Sequence, residues 1–369
     1  MTMLYSERSY LNVQNNLLPP GGAAMPQSSH KPTMKDVARL AGVSYQTVSC
    51  VVNNLPVVKE ETRQKVLQAI RELNYTPDAS ARSLRSGRSR MIGLMIPDAH
   101  NPFFWQIVAG AEDEANQNGY SLLLATTSMN REREAGAFRA LLAERLDGLI
   151  PIFTYPEAFV DDLNRLRQKR FPFVLFNASS RLIECDAVRA HYEQAAKELM
   201  QYLLALGHRR IALICGIGRA GLGHDRVAVY QNSLQKAGLA LDPRYLVMTG
   251  SSLQDGFTAA QELLRLEQPP TAIIGINDLI AFGALQAALR AGLRVPADIS
   301  IAGFDDIQLS TLLSPPLTTG RADGQEIGRQ CVRLILARLQ DPRMPPQRIH
   351  LPTHLMIRGS TGPPRPDLC

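Results

Sequence analysis

From Met91 onward the sequence alternates short runs of β-branched and aliphatic residues with segments of helical length. The runs are MIGLMI (91–96), YSLLLAT (120–126), DGLIPIF (147–153), FPFVLFN (171–177), RRIALIC (209–215), TAIIGI (271–276) and ISIAGFD (299–305). Strands separated by helices imply right-handed crossovers and parallel sheets, which present their ligands beyond the carboxyl ends of the strands. Roughly 270 residues of this pattern exceed a usual domain of ~100 to 200 residues. The expected fold class is therefore α/β, with two doubly wound parallel-sheet lobes and a cleft between them.

The chain before Met91 obeys a different grammar. Residues 1–30 contain Pro-Pro-Gly-Gly and no sustained period, which predicts a disordered tail. From Met34 to about Tyr75 the period is helical, with Val37, Ala38 and Ala41 on one face, Val48 and Val52 on a second, and Val66, Ile70 and Leu73 on a third. Three short helices fit residues 31–76. Residues 77–90 hold four arginines and one large apolar residue, Leu84, and read as a linker with a helical first half.

Charge separates the same two parts. The net charge is +6, and residues 31–90 hold 11 Lys+Arg against 5 Asp+Glu, whereas residues 91–369 hold 28 of each. A neutral body with a basic head suits a nucleic-acid or anionic-surface module joined to something else. A solvated helix face is the competing reading of the charge alone.

Several classes are disfavoured. No stretch approaches the ~18 to 20 apolar residues of a membrane span, and the first 30 residues lack a signal-peptide pattern, so a cytoplasmic location is expected. The five cysteines are scattered and never paired as Cys-x-x-Cys, which argues against a disulfide framework and a zinc site. No metal, cofactor or enzymatic activity is expected: there is no Ser/His/Asp constellation in a motif context. GIGRAGLG (216–223) resembles a dinucleotide fingerprint, but a loop leading to Arg226 explains it better.

Residues 36–53, DVARLAGVSYQTVSCVVN, read as a helix-turn-helix. Gly42 permits the reversal and Ser44 can cap the second helix. Tyr45 and Gln46, then Ser49 and Cys50 one turn on, would face the major groove, with Ser44, Thr47 and Asn53 placed for phosphates.

TMKDVARLAGVSYQTVS, followed by TRQKVLQAIRELNYTPDASARSL, closely resembles the DNA-binding head and hinge of the lactose/galactose repressor (LacI/GalR) family. The resemblance spans roughly 33–360, through NPFF (101–104), LGHRRIALI (206–214), INDLIAFGAL (276–285), ISIAGFDD (299–306) and PPLTT (315–319). It implies a periplasmic-binding-protein-like core over 91–360, a C-terminal tail at 361–369, and a homodimer on a pseudo-palindromic DNA operator. It adds Thr33 to the DNA contacts and makes Leu84 a hinge leucine that wedges into the minor groove. Cys50 stands where the lactose repressor has a base-reading arginine, so a different operator is expected, because a thiol cannot grip guanine through two hydrogen bonds.

For the core, Asn101, Phe103 and Phe104 follow the first strand, where a ligand crevice is expected, and their NPFF resembles that of ribose-type binding proteins, which implies an amide bonding sugar hydroxyls and rings stacking on C–H faces. A plain Asn-Pro turn with core phenylalanines is the rival. By resemblance Arg226 contacts the effector, while Asn277, Asp278 and Asp305 stand at strand ends; an N-cap role rivals the ligand role for Asp278. Asn177, Ala190-His191, Ala322 and Ser252 depart from the family's usual residues, which predicts a less polar wall. The expected function is a sequence-specific DNA-binding repressor controlled by a small-molecule effector, a sugar or sugar derivative. The alternative is a cytoplasmic sugar-binding receptor with a vestigial DNA-binding head.

Overall fold

The computed structural model describes residues 32–52, 55–75, 88–177, 183–216 and 223–365. The chain divides into two compact units, Met1–Ala79 and Ser80–Cys369. The expected tail at 1–30, Asn53 and Leu84 lie outside the described residues.

The head holds α1 (Met34–Ala41), α2 (Tyr45–Val52) and α3 (Glu60–Glu72). Asp36 starts α1 by accepting from Thr33 N at 2.9 Å and Thr33 Oγ1 at 2.7 Å, a reciprocal cap that satisfies orphan donors. Gly42, left-handed at φ +64°, ends it by donating to Ala38 and Arg39 carbonyls. Val37, Ala38, Val48, Val51, Val66, Ala69 and Tyr75 form the small core. Val52, Ile70 and Leu73, expected inside, are only partly buried: in helices this short, packing against neighbours and not periodicity selects the inner face.

The body's first lobe contains β1 (Met91–Ile96), α4 (Pro102–Gln117), β2 (Ser121–Thr126), α5 (Arg131–Ala143), β3 (Gly148–Pro151), α6 (Val160–Gln168), β4 (Val174–Phe176) and β5 (Asp186–Ala190). The second contains α7 (Tyr192–Ala205), β6 (Ile211–Cys215), α8 (His224–Lys236), β7 (Leu246–Met248), α9 (Leu253–Leu264), β8 (Ala272–Gly275), α10 (Asp278–Arg290), β9 (Ser300–Asp305), α11 (Leu309–Leu312) and β10 (Thr318–Arg321). The chain then returns to the first lobe for α12 (Gly324–Gln340) and β11 (Arg348–Leu351), and to the second for β12 (His354–Met356). It thus passes between lobes near residues 191, 322 and 352.

In the first lobe the strand order is β2-β1-β3 and β4-β5-β11, all parallel, the two groups meeting at a parallel bridge between Leu149 and Phe173. In the second it is β7-β6-β8-β9-β10-β12, with only β12 antiparallel. Strands such as β6 and β9 are buried on both faces, which is why they read as continuous apolar runs. Helices α4 and α12 approach closely because a Cβ at Gly110 would meet the Gln325 carbonyl oxygen at 1.9 Å, and one at Gly328 the Ile107 carbonyl oxygen at 2.1 Å.

All seven expected strand runs contain a strand, but β5, β7, β10, β11 and β12 are additional. Two expected boundaries also shift. The Asp147 carboxylate accepts from Ser89 N, Ser89 Oγ and Arg90 N, so the end of the expected linker is fastened to the body. The expected tail from 361 is packed through its first residues: Gly362 N donates to Ser300 Oγ at 3.0 Å, and Thr361 is buried. Cys185, Cys215 and Cys331 are free and buried, with burial pushing the Cys185 and Cys215 thiols up to about 12. Among the described residues no helix is long and apolar enough to cross a membrane.

Candidate functional site

Between the lobes lies a cavity of ≈ 570 Å³, counting its open mouth. Most of its lining residues stand just past a strand's carboxyl end, as a parallel sheet dictates. Asn101 follows β1, Met129 follows β2, Thr154 follows β3, and Phe176 and Asn177 close β4. From the second lobe come Gly216 after β6, Ile276 and Asn277 after β8, and Asp305 ending β9. Phe103, Phe104, Tyr192, Arg226 and Ser251 complete the wall.

Asn101 is the N-cap of α4, its Oδ1 accepting from Phe103 N at 2.9 Å, with Pro102 suited to the first helical position. Phe103 stands 5.7 Å from Phe104, edge to face, and 6.5 Å from Phe176. Asn277 caps α10 through Ile280 N at 2.9 Å and donates Nδ2 to the Ser251 carbonyl at 3.2 Å. Asn177, at φ +51°, turns its Oδ1 to Ala190 N at 2.8 Å.

The electrostatic centre is Arg226, Tyr192 and Asp305. The Arg226 guanidinium lies 4.1 Å from the Tyr192 ring centroid and 5.4 Å from that of Phe304, and its Nη1 donates to the Ile276 carbonyl at 3.0 Å. Tyr192 donates its hydroxyl to Asp305 Oδ1 at 3.0 Å, and Asn101 from the other lobe is close enough to the same carboxylate to favour its charged form. Burial raises Asp305 to about 6 against the opposing pull of Arg226, Tyr192 and Asn101. Burial, with the Asp305 charge beside it, also holds the Tyr192 phenol well above its ordinary range.

Asp278 requires a correction. Its carboxylate turns away from the cavity and accepts from Ser310 Oγ at 2.6 Å, Thr319 Oγ1 at 2.6 Å and Ile307 N at 3.0 Å. It braces α11 and β10 against α10. Burial, and then the neighbouring Asp305 charge, raises it to about 8. The N-cap role is not its own either, since Asn277 fills it.

Of the expected effector residues, Asn101, Phe103, Phe104, Arg226, Asn277 and Asp305 share the one cavity. Met129, Thr154, Phe176, Tyr192 and Ser251 were not expected there. Thr154 directly follows the DGLIPIF run and Phe176 lies inside FPFVLFN, so the strand-end rule could have found both. Among the departures, Ser252 caps α9 while its neighbour Ser251 lines the cavity, and His191 pairs with His350 at 2.8 Å.

In the head, Ser44 Oγ accepts from Thr47 N at 3.1 Å, capping α2. Tyr45 and Gln46 are exposed on its first turn, and Ser49 and Cys50 are half-buried one turn later. The hydroxyls of Thr33 and Thr47 take part in the caps of their helices.

The description "Bacterial regulatory proteins, lacI family" matches residues 33–78, and "Periplasmic binding protein-like domain" matches 200–361. The ribose operon repressor of Haemophilus influenzae is 36% identical over 310 residues, covering 84% of this chain and 92% of that protein. The chain belongs to the LacI family. LacI-family relatives also appear among solved structures: the lac repressor dimer bound to operator and the anti-inducer ONPF is 31% identical, with a TM-score of 0.79 over 90% of this chain and all of that one. A LacI-family regulator from Enterococcus faecium with bound ribose is 28% identical, with a TM-score of 0.65 over 74% of this chain and all of that one. As a LacI-family protein the chain is a DNA-binding transcriptional regulator.

Proposed function

We propose that this regulator is a cytoplasmic repressor whose cleft takes a neutral sugar, and that sugar binding controls its hold on the operator. The observation that carries the reading is a pair of buried polar atoms that make no hydrogen bond, one of them, Arg226 Nε, facing only the Asp225 carboxylate at 3.6 Å. Thr154 Oγ1 and Arg226 Nε are buried without a hydrogen-bond partner, and both belong to residues lining the cavity, one from each lobe. A buried donor or acceptor left unsatisfied costs ~1 to 3 kcal/mol. A ligand hydroxyl can both donate and accept, so a polyol spanning the cleft answers both lobes at once. The cationic Arg226 and the anionic Asp305 offset each other, which favours a neutral ligand, and Phe103, Phe104 and Phe176 offer surface for C–H faces.

Asn101, Arg226, Asn277 and Asp305 hold the effector, Phe103 and Phe104 pack against it, and Asp278 supports the second lobe from behind. Contacts to both lobes favour closure, and closure shifts the operator equilibrium only by the ligand's difference in affinity between the two states. On the DNA side, Tyr45, Gln46, Ser49 and Cys50 read bases, Thr33, Ser44, Thr47 and Asn53 hold phosphates, and Leu84 wedges at the hinge. The similarity of 33–78 to the family's DNA-binding region and the exposure of Tyr45 and Gln46 support this assignment.

Calorimetry of the full-length protein against a panel of pentoses, hexoses and disaccharides, paired with operator binding by fluorescence anisotropy, tests the reading. At least one sugar is expected to bind and to change operator affinity. Sugar binding with no measurable operator binding would favour a sugar receptor with a vestigial head, and operator binding indifferent to every sugar that binds would overturn control by sugar.

A further inference from the structure

The turn between β2 and α5 reaches across the cleft to the second lobe. Ser128 and Met129 are both left-handed there, at φ +50° and +54°, a conformation that crowds any side chain bearing a Cβ. The turn is held from both ends. Thr127 N donates to the Ile96 carbonyl at 3.2 Å and Met129 N to the Pro97 carbonyl at 2.7 Å, while Asn130 caps α5 through the N–H groups of Glu132 and Arg133. Strained backbone persists where its surroundings over-determine it, and it gathers at ligand clamps.

What this strain delivers is a thioether. Met129 lines the cavity, and its Sδ accepts from Ser251 Oγ of the opposite lobe at 2.8 Å. Ser251 is itself fixed, because its carbonyl accepts from Asn277 and the next residue, Ser252, caps α9. An unbranched, polarizable side chain offers a sugar ring apolar contact and no strong hydrogen bond.

We infer that Met129 is a specificity-determining gate, latched to Ser251, which closes one wall of the cleft and favours a single sugar ring over a longer saccharide. The inference rests on the sugar-binding reading above. A larger ligand must break the latch and displace the Met129 side chain. A single ring need not.

The test uses full-length protein labelled at its methionine methyl groups, with the Met129 signal assigned by its loss in Met129→Leu. In the free protein that signal should lie away from its random-coil position and move in Ser251→Ala. A random-coil signal that ignores Ser251→Ala overturns the latch. Ribose and cellobiose then serve as probes in calorimetry. Met129→Gly, which suits a left-handed position and should keep the fold, is expected to raise the cellobiose-to-ribose affinity ratio about tenfold or more. An unchanged ratio overturns the gate. If neither sugar binds either protein, the ratio is read with a monosaccharide and a disaccharide that bind in the panel above; if no sugar of the panel binds, the sugar reading of the cleft fails, and the methyl signal still decides the latch.

Discussion

Tyr192 donates its hydroxyl to Asp305 across 3.0 Å, and the face of the same ring carries the Arg226 guanidinium. One aromatic ring therefore positions both charged groups of the cleft. Tyr192 is the first residue of α7, directly after the chain passes from one lobe to the other, so movement of the lobes and geometry of the cleft are tied through it.

Arg226→Ala is expected to retain operator binding and lose the effector response. It removes the donor that the ligand meets and leaves Asp305 without its cationic neighbour, a loss of ~1.5 to 3 kcal/mol in effector binding for a charged hydrogen bond. Operator anisotropy with and without the bound sugar checks it; a wild-type response would move the effector site away from Arg226.

Asp278→Ala is expected to behave differently. It strands Ile307 N, Ser310 Oγ and Thr319 Oγ1, at ~1 to 3 kcal/mol each. The result should be a destabilised second lobe, read as a lower midpoint in thermal or urea unfolding. A variant with wild-type stability and abolished sugar binding would return Asp278 to the cleft.

Asp278 also sets a pH dependence. Raised to about 8 from an ordinary 3.8, it holds a proton in the native state that the unfolded chain gives up. Its contribution to stability is full below pH ~4 and is lost as pH rises through about 8. Asp305, raised to about 6, acts in the same direction over a lower window. Unfolding midpoints measured from pH 6 to 9 should fall, and Asp278→Asn should flatten the decline. A slope unaltered by that substitution would assign the decline to other groups.

Much of this was legible in the sequence because buried parallel strands announce themselves as apolar runs, and their ends locate a cleft. Asn101 and Asp305 follow from that rule. Tyr192 does not, because β5 carries Asp186 and Arg189 within five residues and does not read as a strand. Its buried Asp186 is matched by Arg338, 152 residues away, at 2.8 Å, a partner no local pattern reveals. Asp278 shows the opposite failure: a strand end gives a residue's position but not the direction of its side chain. The Met129 contact depends on left-handed backbone at two non-glycine residues, for which the sequence carries no signal.

The head makes the last prediction. Helix α2 presents Gln46 on an exposed first turn, whereas the Ser44 hydroxyl also caps that helix. Gln46→Ala should lose ~1 to 3 kcal/mol at one operator position and leave the remaining base preferences intact. Ser44→Ala should instead cost ~0.5 to 2 kcal/mol of head stability and weaken binding to every sequence alike. Both variants should keep the salt dependence set by the surplus of positive charge in residues 31–90, where 6 to 10 neutralised phosphates mean a fall of ~10³ to 10⁵ in affinity between 50 and 200 mM salt. Titrations of an operator library at two salt concentrations separate these outcomes. A uniform loss for Gln46→Ala, with the salt slope unchanged, would make Gln46 an uncharged phosphate contact and leave base reading to Tyr45, Ser49 and Cys50.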